Sequence, residues 1–440
     1  MSRSEVKKAG WVIRRGLATV LAIPLAAPVH AQVRGVVDVS VQGTVASNSS
    51  LENSRGGGAF AFGLQVDPSV FYEDGEVTTA ALRGTVAVDQ YDADNGTVGS
   101  LGLTAGMRHK ISERTSIRGS ASARSTRSGV RDFLRNPVLA SDVLQNLNPD
   151  LLPELGGQAD INPGGLTSFD PDLLDEFDFD LADLGRGRTN TFQVGASVDH
   201  AISSSDSVSF GGSVRLNSSG DPRGSDYRSD SVSVAYRRAL STRTSFNVGI
   251  SGGRADYEDG GEGPGPGDAI FVTPAVGISH RLSETLTASA SVGASITSVE
   301  RHDGASEKDV GLAGNLGLCQ LQYRASLCAT ASRGVQPTSF GGVTSVTSAG
   351  LAYSRLLGLR DRVSASARYS RRDDSLVENQ SDFGGAQSVF AASASYNRSI
   401  GQRLYAFVTP GFSRTSGSLT GDRDNYQISV GIRYRFGDAE

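Results

Sequence analysis

The chain has 440 residues, a formal net charge of −5, 38% hydrophobic residues, 54 glycines and two cysteines. That length would suit two or three soluble domains, but the apolar content is poor material for several cores. Abundant Gly, Ser, Thr and Ala suit instead a wall whose strands have one apolar and one polar face, and no nucleic-acid partner is expected.

The first residues read as an export signal. Lys7, Lys8, Arg14 and Arg15 precede an apolar run from Leu17 to Ala27, and Val29-His30-Ala31 forms a small-residue cleavage site. Cleavage is expected after Ala31. A membrane anchor is the alternative, but the run is short and interrupted by Pro24 and Pro28. Residues 1–31 hold five basic side chains and one acid, a net +4, so the mature chain carries −9. Beyond Ala31 no apolar run is long enough to cross a bilayer as a helix. A membrane location then requires a closed barrel, which alone satisfies strand backbone in hydrocarbon.

From Val33 onward the sequence alternates with a period of two. Val208, Phe210, Gly212, Val214 and Leu216 form one such set. Leu286, Ala288, Ala290, Val292, Ala294 and Ile296 form another, and Tyr426, Ile428, Val430, Ile432, Tyr434 and Phe436 a third. Alternation is the strand signature, and runs of about 10–14 residues suit tilted membrane-spanning strands.

A turn motif recurs between the runs: Ile111-Ser112-Glu113-Arg114, Ile202-Ser203-Ser204-Ser205, Leu240-Ser241-Thr242-Arg243 and Leu282-Ser283-Glu284-Thr285, with variants at Leu357 and Ile400. The spacing of 38 to 43 residues makes each unit one up strand, one loop and one down strand. Strands are predicted to begin near 33, 59, 76, 97, 115, 188, 206, 228, 243, 268, 286, 308, 324, 344, 361, 386, 403 and 424. The expected fold is an all-β transmembrane antiparallel barrel of about 18 strands, with 16 as the alternative. The short turns are expected on the periplasmic side and the longer, polar loops outside.

Residues 128–187 break the rhythm. This segment has 12 acids and three basic residues, a net −9, so the barrel itself is close to neutral. Asn136-Pro137, Asn148-Pro149, Asn162-Pro163 and Asp170-Pro171 start turns within it. It is expected to be a long acidic extracellular loop that folds into the pore, caps its mouth or stays solvated. The acids between Asp170 and Asp183 lack calcium-loop spacing, and no metal or cofactor is expected.

With the apolar set toward lipid, the other parity lines the lumen. It carries Arg83, Arg108, Lys110, Arg118, Arg124, Arg215, Arg237, Arg281, Arg324, Arg368, Arg372, Arg433 and Arg435, against the acids Asp38, Asp89 and Asp199. A lumen so lined is a positive field that favours anions. The chain has 38 arginines and four lysines, however, a bias that a GC-rich genome also produces.

No nucleophile elbow, metal-ligand cluster or phosphate-cradling loop appears, and no catalytic residue is expected. His109, His200 and His280 each precede a turn motif by two residues on the lipid-facing parity. They read as interface-girdle residues; His302 falls in a loop. Cys319 and Cys328 flank a turn near 321–326 and pair directly when the hairpin is counted inward. Opposed strand residues lie about 4.5–5.5 Å apart at Cα, within disulfide range, so one bridge in a periplasmic hairpin is expected. Two buried thiols are the alternative.

The final strand ends Tyr434-Arg435-Phe436, which resembles the C-terminal signature that the barrel assembly machinery reads. With the Val29-His30-Ala31 signal, the Leu282-Ser283-Glu284-Thr285 turn and the 40-residue hairpin units, the chain resembles the β-barrel porins found beside exopolysaccharide operons in Gram-negative bacteria. That resemblance covers 33–436 apart from 128–187. It implies an outer-membrane channel exporting an acidic polysaccharide, with outer-membrane lipid, the assembly machinery and a periplasmic polysaccharide-export protein as partners. A general diffusion porin and a structural or adhesion barrel with a closed lumen are the alternatives.

Overall fold

The computed structural model describes residues 32–47, 58–75, 77–92, 97–126, 188–220, 225–258, 268–300, 306–338, 342–375, 386–417 and 422–437. The expected signal (1–31) and acidic segment (128–187) lie outside the described residues.

These residues form eighteen strands. The first six are β1 (Gln32–Ala46), β2 (Ala59–Asp74), β3 (Thr78–Tyr91), β4 (Thr97–Ser112), β5 (Thr115–Thr126) and β6 (Thr189–Ala201). Next come β7 (Asp206–Ser219), β8 (Tyr227–Ala239), β9 (Thr244–Tyr257), β10 (Ala269–Arg281), β11 (Leu286–Glu300) and β12 (Ser306–Gln322). The last are β13 (Ala325–Thr338), β14 (Gly342–Leu356), β15 (Asp361–Ser375), β16 (Gln387–Ser399), β17 (Leu404–Gly417) and β18 (Arg423–Phe436). Each pairs antiparallel with its chain neighbours, and β18 returns to β1 in the register Val37↔Phe436 to Ala46↔Gln427. The barrel is therefore closed around its circumference, and the β12–β13 ladder is partial, running from Gly314↔Arg333 to Gln322↔Ala325. The alternation predicted every strand, with starts within two residues of those observed.

The polarity of this wall is inverted relative to a soluble core. Large apolar residues lead the exposed set, including Phe62 (54%), Leu312 (65%) and Val430 (57%). The buried set is mostly polar, with Gln42, Gln65, Ser295, Thr297, Ser370 and Ser429 among it. In β18 the outward residues Tyr426, Ile428, Val430 and Ile432 alternate with the less exposed Asn425, Gln427, Ser429 and Gly431. Among the described residues nothing packs against the convex face, whereas side chains crowd the concave one. An apolar convex face finds its favourable environment in lipid.

The recurrent turn motif has a physical basis in its serine. Ser203 Oγ accepts from the backbone N–H of Ser205 and Asp206, both at 3.1 Å. Ser241 does the same for Arg243 and Thr244, and Ser283 for Thr285 and Leu286. A short hydroxyl side chain thus supplies the acceptor that the tight backbone cannot. Gly75 supplies the positive φ (53°) in the β2–β3 turn, where the serine motif is absent.

One substitution pair separates the two faces. Leu316→Arg, facing out near the middle of β12, should destabilise the barrel in lipid by about 2–4 kcal/mol. Asn315→Arg, its inward neighbour, should shift the urea midpoint of liposome-reconstituted protein far less. Equal shifts would mean that the faces are assigned wrongly.

Candidate transport path

The strand parity turns a group of basic side chains inward. On β3–β5 these are Arg83, Arg108, Lys110, Arg118 and Arg124. Arg108 and Arg118 are directly opposed across the β4–β5 ladder, and Lys110 lies two residues further along. Like charges in direct cross-strand opposition oppose folding, so this cluster is not explained by wall stability. Arg118 meets Asp199 of β6 at 3.3 Å. Arg215 (β7), Arg237 (β8), Arg281 (β10), Arg368 and Arg372 (β15), and Arg433 and Arg435 (β18) also occupy the inward parity.

Several of these arginines lie on inward aromatic rings. Arg83 sits 5.5 Å from the Phe71 ring centre, Arg433 5.7 Å from Phe407, and Arg435 5.6 Å from Tyr405. The ring face attracts the guanidinium and holds it along the wall. Phe407 lies over Gly431, where a Cβ would come within 2.5 Å of the ring, so the glycine makes room for the aromatic. Arg435 also donates two bonds of 2.8 Å to Asp38, a bidentate pair across the β18–β1 seam.

Two corrections to the expected lining follow. Arg324 lies in the two-residue turn between β12 and β13, 5.8 Å from the Tyr323 ring centre, and not in the strand wall. The hairpin ends one residue earlier than a lumen position would require. The inward acids also include Asp67, Glu73, Glu307 and Asp309, and Glu73 meets Arg34 at 3.3 Å. Their parity relative to Val66, Val70 and Val310 was the available signal.

Cys319 and Cys328 are bonded, with Cα atoms 4.2 Å apart, and are direct partners in the β12–β13 ladder. His109, His200 and His280 repeat one arrangement. The Nδ1 of each lies 2.8–2.9 Å from the hydroxyl of Thr78, Thr115 or Thr244 on the adjacent strand. They stand on separate hairpins and share no site. His302 lies outside the described residues. Tyr434 and Phe436 face outward with ring centres 4.6 Å apart.

No protein-family model matches the chain, and no curated protein does. Solved structures do match. Pseudomonas aeruginosa OccK2 (OpdF), crystallised in complex with glucuronate, is similar at TM-score 0.42 and 9% identity, over 92% of this chain and 98% of that one. OpdK of the same organism, crystallised with vanillate, gives 0.41 and 10%, over 92% and 99%. The FrpB iron transporter (F3-3 variant) of Neisseria meningitidis gives 0.40 and 9%, over 92% and 81%. At these identities and scores the likenesses carry no argument about function.

The disulfide lies at the short-turn end of its hairpin, apart from the basic cluster on β3–β5. Replacing both Cys319 and Cys328 by Ser should therefore lower stability by up to about 3 kcal/mol and leave ion selectivity unchanged. Denaturant unfolding and bilayer recording on the same preparation check both halves.

Proposed function

We propose that this chain is a passive outer-membrane channel whose lumen prefers anions. A closed, even-stranded barrel with an apolar outer face, a polar inner wall and both ends of the described chain beside the short turns supports the location. The observation that carries the preference is the inward cluster of Arg83, Arg108, Lys110 and Arg118 on adjoining strands. Its planar forks suit carboxylate and phosphate groups, and concentrated positive charge in a narrow wall raises the local concentration of anions.

Two cargoes present that chemistry: small organic anions, and the acidic polysaccharide that the family resemblance implies. The lining supports both equally, because a carboxylate on a polymer and a free carboxylate meet the same guanidinium groups. The polymer reading adds a periplasmic export protein as partner. Tyr434 and Phe436, facing outward at the end of β18, suit capture by the assembly machinery.

Planar-bilayer recording across a salt gradient should give a reversal potential on the anion side. Arg108→Glu combined with Arg118→Glu should move the anion-to-cation permeability ratio toward cations by about tenfold. An unchanged ratio would sink the anion path. Loss of polymer release from a deletion strain whose small-solute permeability is normal would single out export.

A further inference from the structure

The start of β14 departs from the barrel outline together with the end of β13, which leaves β12 beyond Arg333 but stays paired with β14 to Thr338↔Gly342. Val343, Thr344, Ser345 and Val346 are consecutive and all buried, at 1%, 1%, 7% and 8% exposure, whereas an ordinary wall strand alternates. Val343 packs with Ala255 of β9, Ala269 of β10 and Val299 of β11, with Tyr257 and Val335 beside them. Ala255, Ala269 and Val299 stand in one line across the β9–β10–β11 ladders and face the lumen, opposite in parity to the exposed Ile250, Ile270 and Ile296. Along the wall β11 and β14 are separated by two strands, a path of about 14 Å at the usual inter-strand spacing, so Val343 reaches Val299 through the interior. A Cβ at the inward Gly311 of β12 would lie 3.8 Å from Ser345 Oγ, which places β14 over the inner face of β12 as well. β8 and β13, five strands apart in the wall, approach within 8 Å at Cα. The β14–β15 register shifts between Thr344 and Val346, an irregularity that lets the strand bend inward.

The charges are distributed unevenly around this feature. In the loop-side half of β8–β12 the inward positions carry no arginine: most are small or apolar, including Ser229, Ser231, Gly253, Ala255, Ala269, Thr273, Thr297, Val299 and Ala313, and Glu307 and Asp309 of β12 are acidic. The basic cluster lies on β3–β5, with Arg215 on β7 and Arg368 and Arg372 on β15; Arg237 of β8 and Arg281 of β10 stand at the short-turn end.

We propose that the inturned start of β14, seated on Ala255, Ala269 and Val299, is the specificity-determining wall of the channel: it closes the arginine-free, loop-side half of β8–β12 and confines a passing anion to the arginine-bearing sector. The inference rests on the channel reading. The small side chains at 255 and 269 are what allow the seat, since a larger residue there would hold β14 off the wall. Without this seat the lumen would contain a wide arginine-free lane, bordered by Glu307 and Asp309, in which solutes pass at a distance from the guanidinium groups.

The test uses the full mature chain in planar bilayers. Ala269→Cys with Val343→Cys, placed in a background with Cys319→Ser and Cys328→Ser, should oxidise to a disulfide in the folded barrel. The bridged channel should keep the conductance and anion selectivity of its reduced form. Val343→Asp places a charge in the dry contact and should release the strand. Conductance should then rise about twofold and the anion-to-cation ratio fall toward unity. Folded electrophoretic mobility before heating shows that each variant is assembled; if Val343→Asp does not assemble, the bridged pair decides. The inference fails if no bridge forms in folded protein, or if bridging abolishes conduction. It also fails if Val343→Asp leaves conductance and ratio unchanged. A silent parent with a conducting Val343→Asp would show that β14 seals the lumen, overturning this inference and sparing the channel reading. Silence in both would overturn the two together.

Discussion

The ladder between β1 and β18 is the interaction on which the rest depends. A membrane offers strand backbone no water, so every N–H and C=O in the span must find a partner within the protein. Ten residue pairs, from Val37↔Phe436 to Ala46↔Gln427, close the ring. Arg435 and Asp38 pin this seam from the lumen side with paired bonds of 2.8 Å. Once the ring is closed, one parity of every strand must face lipid and the other must face the interior. The inverted distribution of polar and apolar residues follows directly.

The two ends of the barrel solve different problems. At the short-turn end, a serine accepts two backbone bonds in hairpin after hairpin. Just inside it, outward side chains repeat as sets. Thr–His pairs link β3 to β4, β5 to β6 and β9 to β10. Asp206 takes Tyr236 at 2.5 Å with Arg238 nearby, and Asp361 takes Tyr396 at 2.6 Å with Arg398 nearby. Amphipathic side chains at this height suit the boundary between hydrocarbon and water. They also tie adjacent strands where the ladder ends. His109, His200 and His280 are thus accounted for by position and partner.

The lumen shows the opposite economy. Arg108 opposed to Arg118 works against the ladder, and laying guanidinium groups on Phe71, Phe407 and Tyr405 places large rings on the face otherwise given to Ser and Gly. Gly431 must then yield its side-chain space. The opposed arginines work against local stability while the rings hold their neighbours in place, and positive charge is concentrated at one part of the wall, which is the pattern expected where function selects the residues.

The sequence by itself determined the strands, their parity, the short-turn end and the pairing of Cys319 with Cys328. All of these rest on a period-two pattern and on turn residues, which are local properties that survive without knowledge of the rest of the chain. The inward position of most arginines was legible for the same reason. Arg324 was misplaced because parity says which face a residue takes but not where a strand stops. Only the tertiary structure decided that Val343–Val346 leave the wall and settle on Ala255, Ala269 and Val299. That contact depends on where the β12–β13 ladder stops, at Gly314↔Arg333, and on the register shift between β14 and β15. Ladder ends and register shifts are set jointly by neighbouring strands, and Val343 in a Gly-Val-Thr-Ser run reads as an ordinary strand residue until its distant partners are in place.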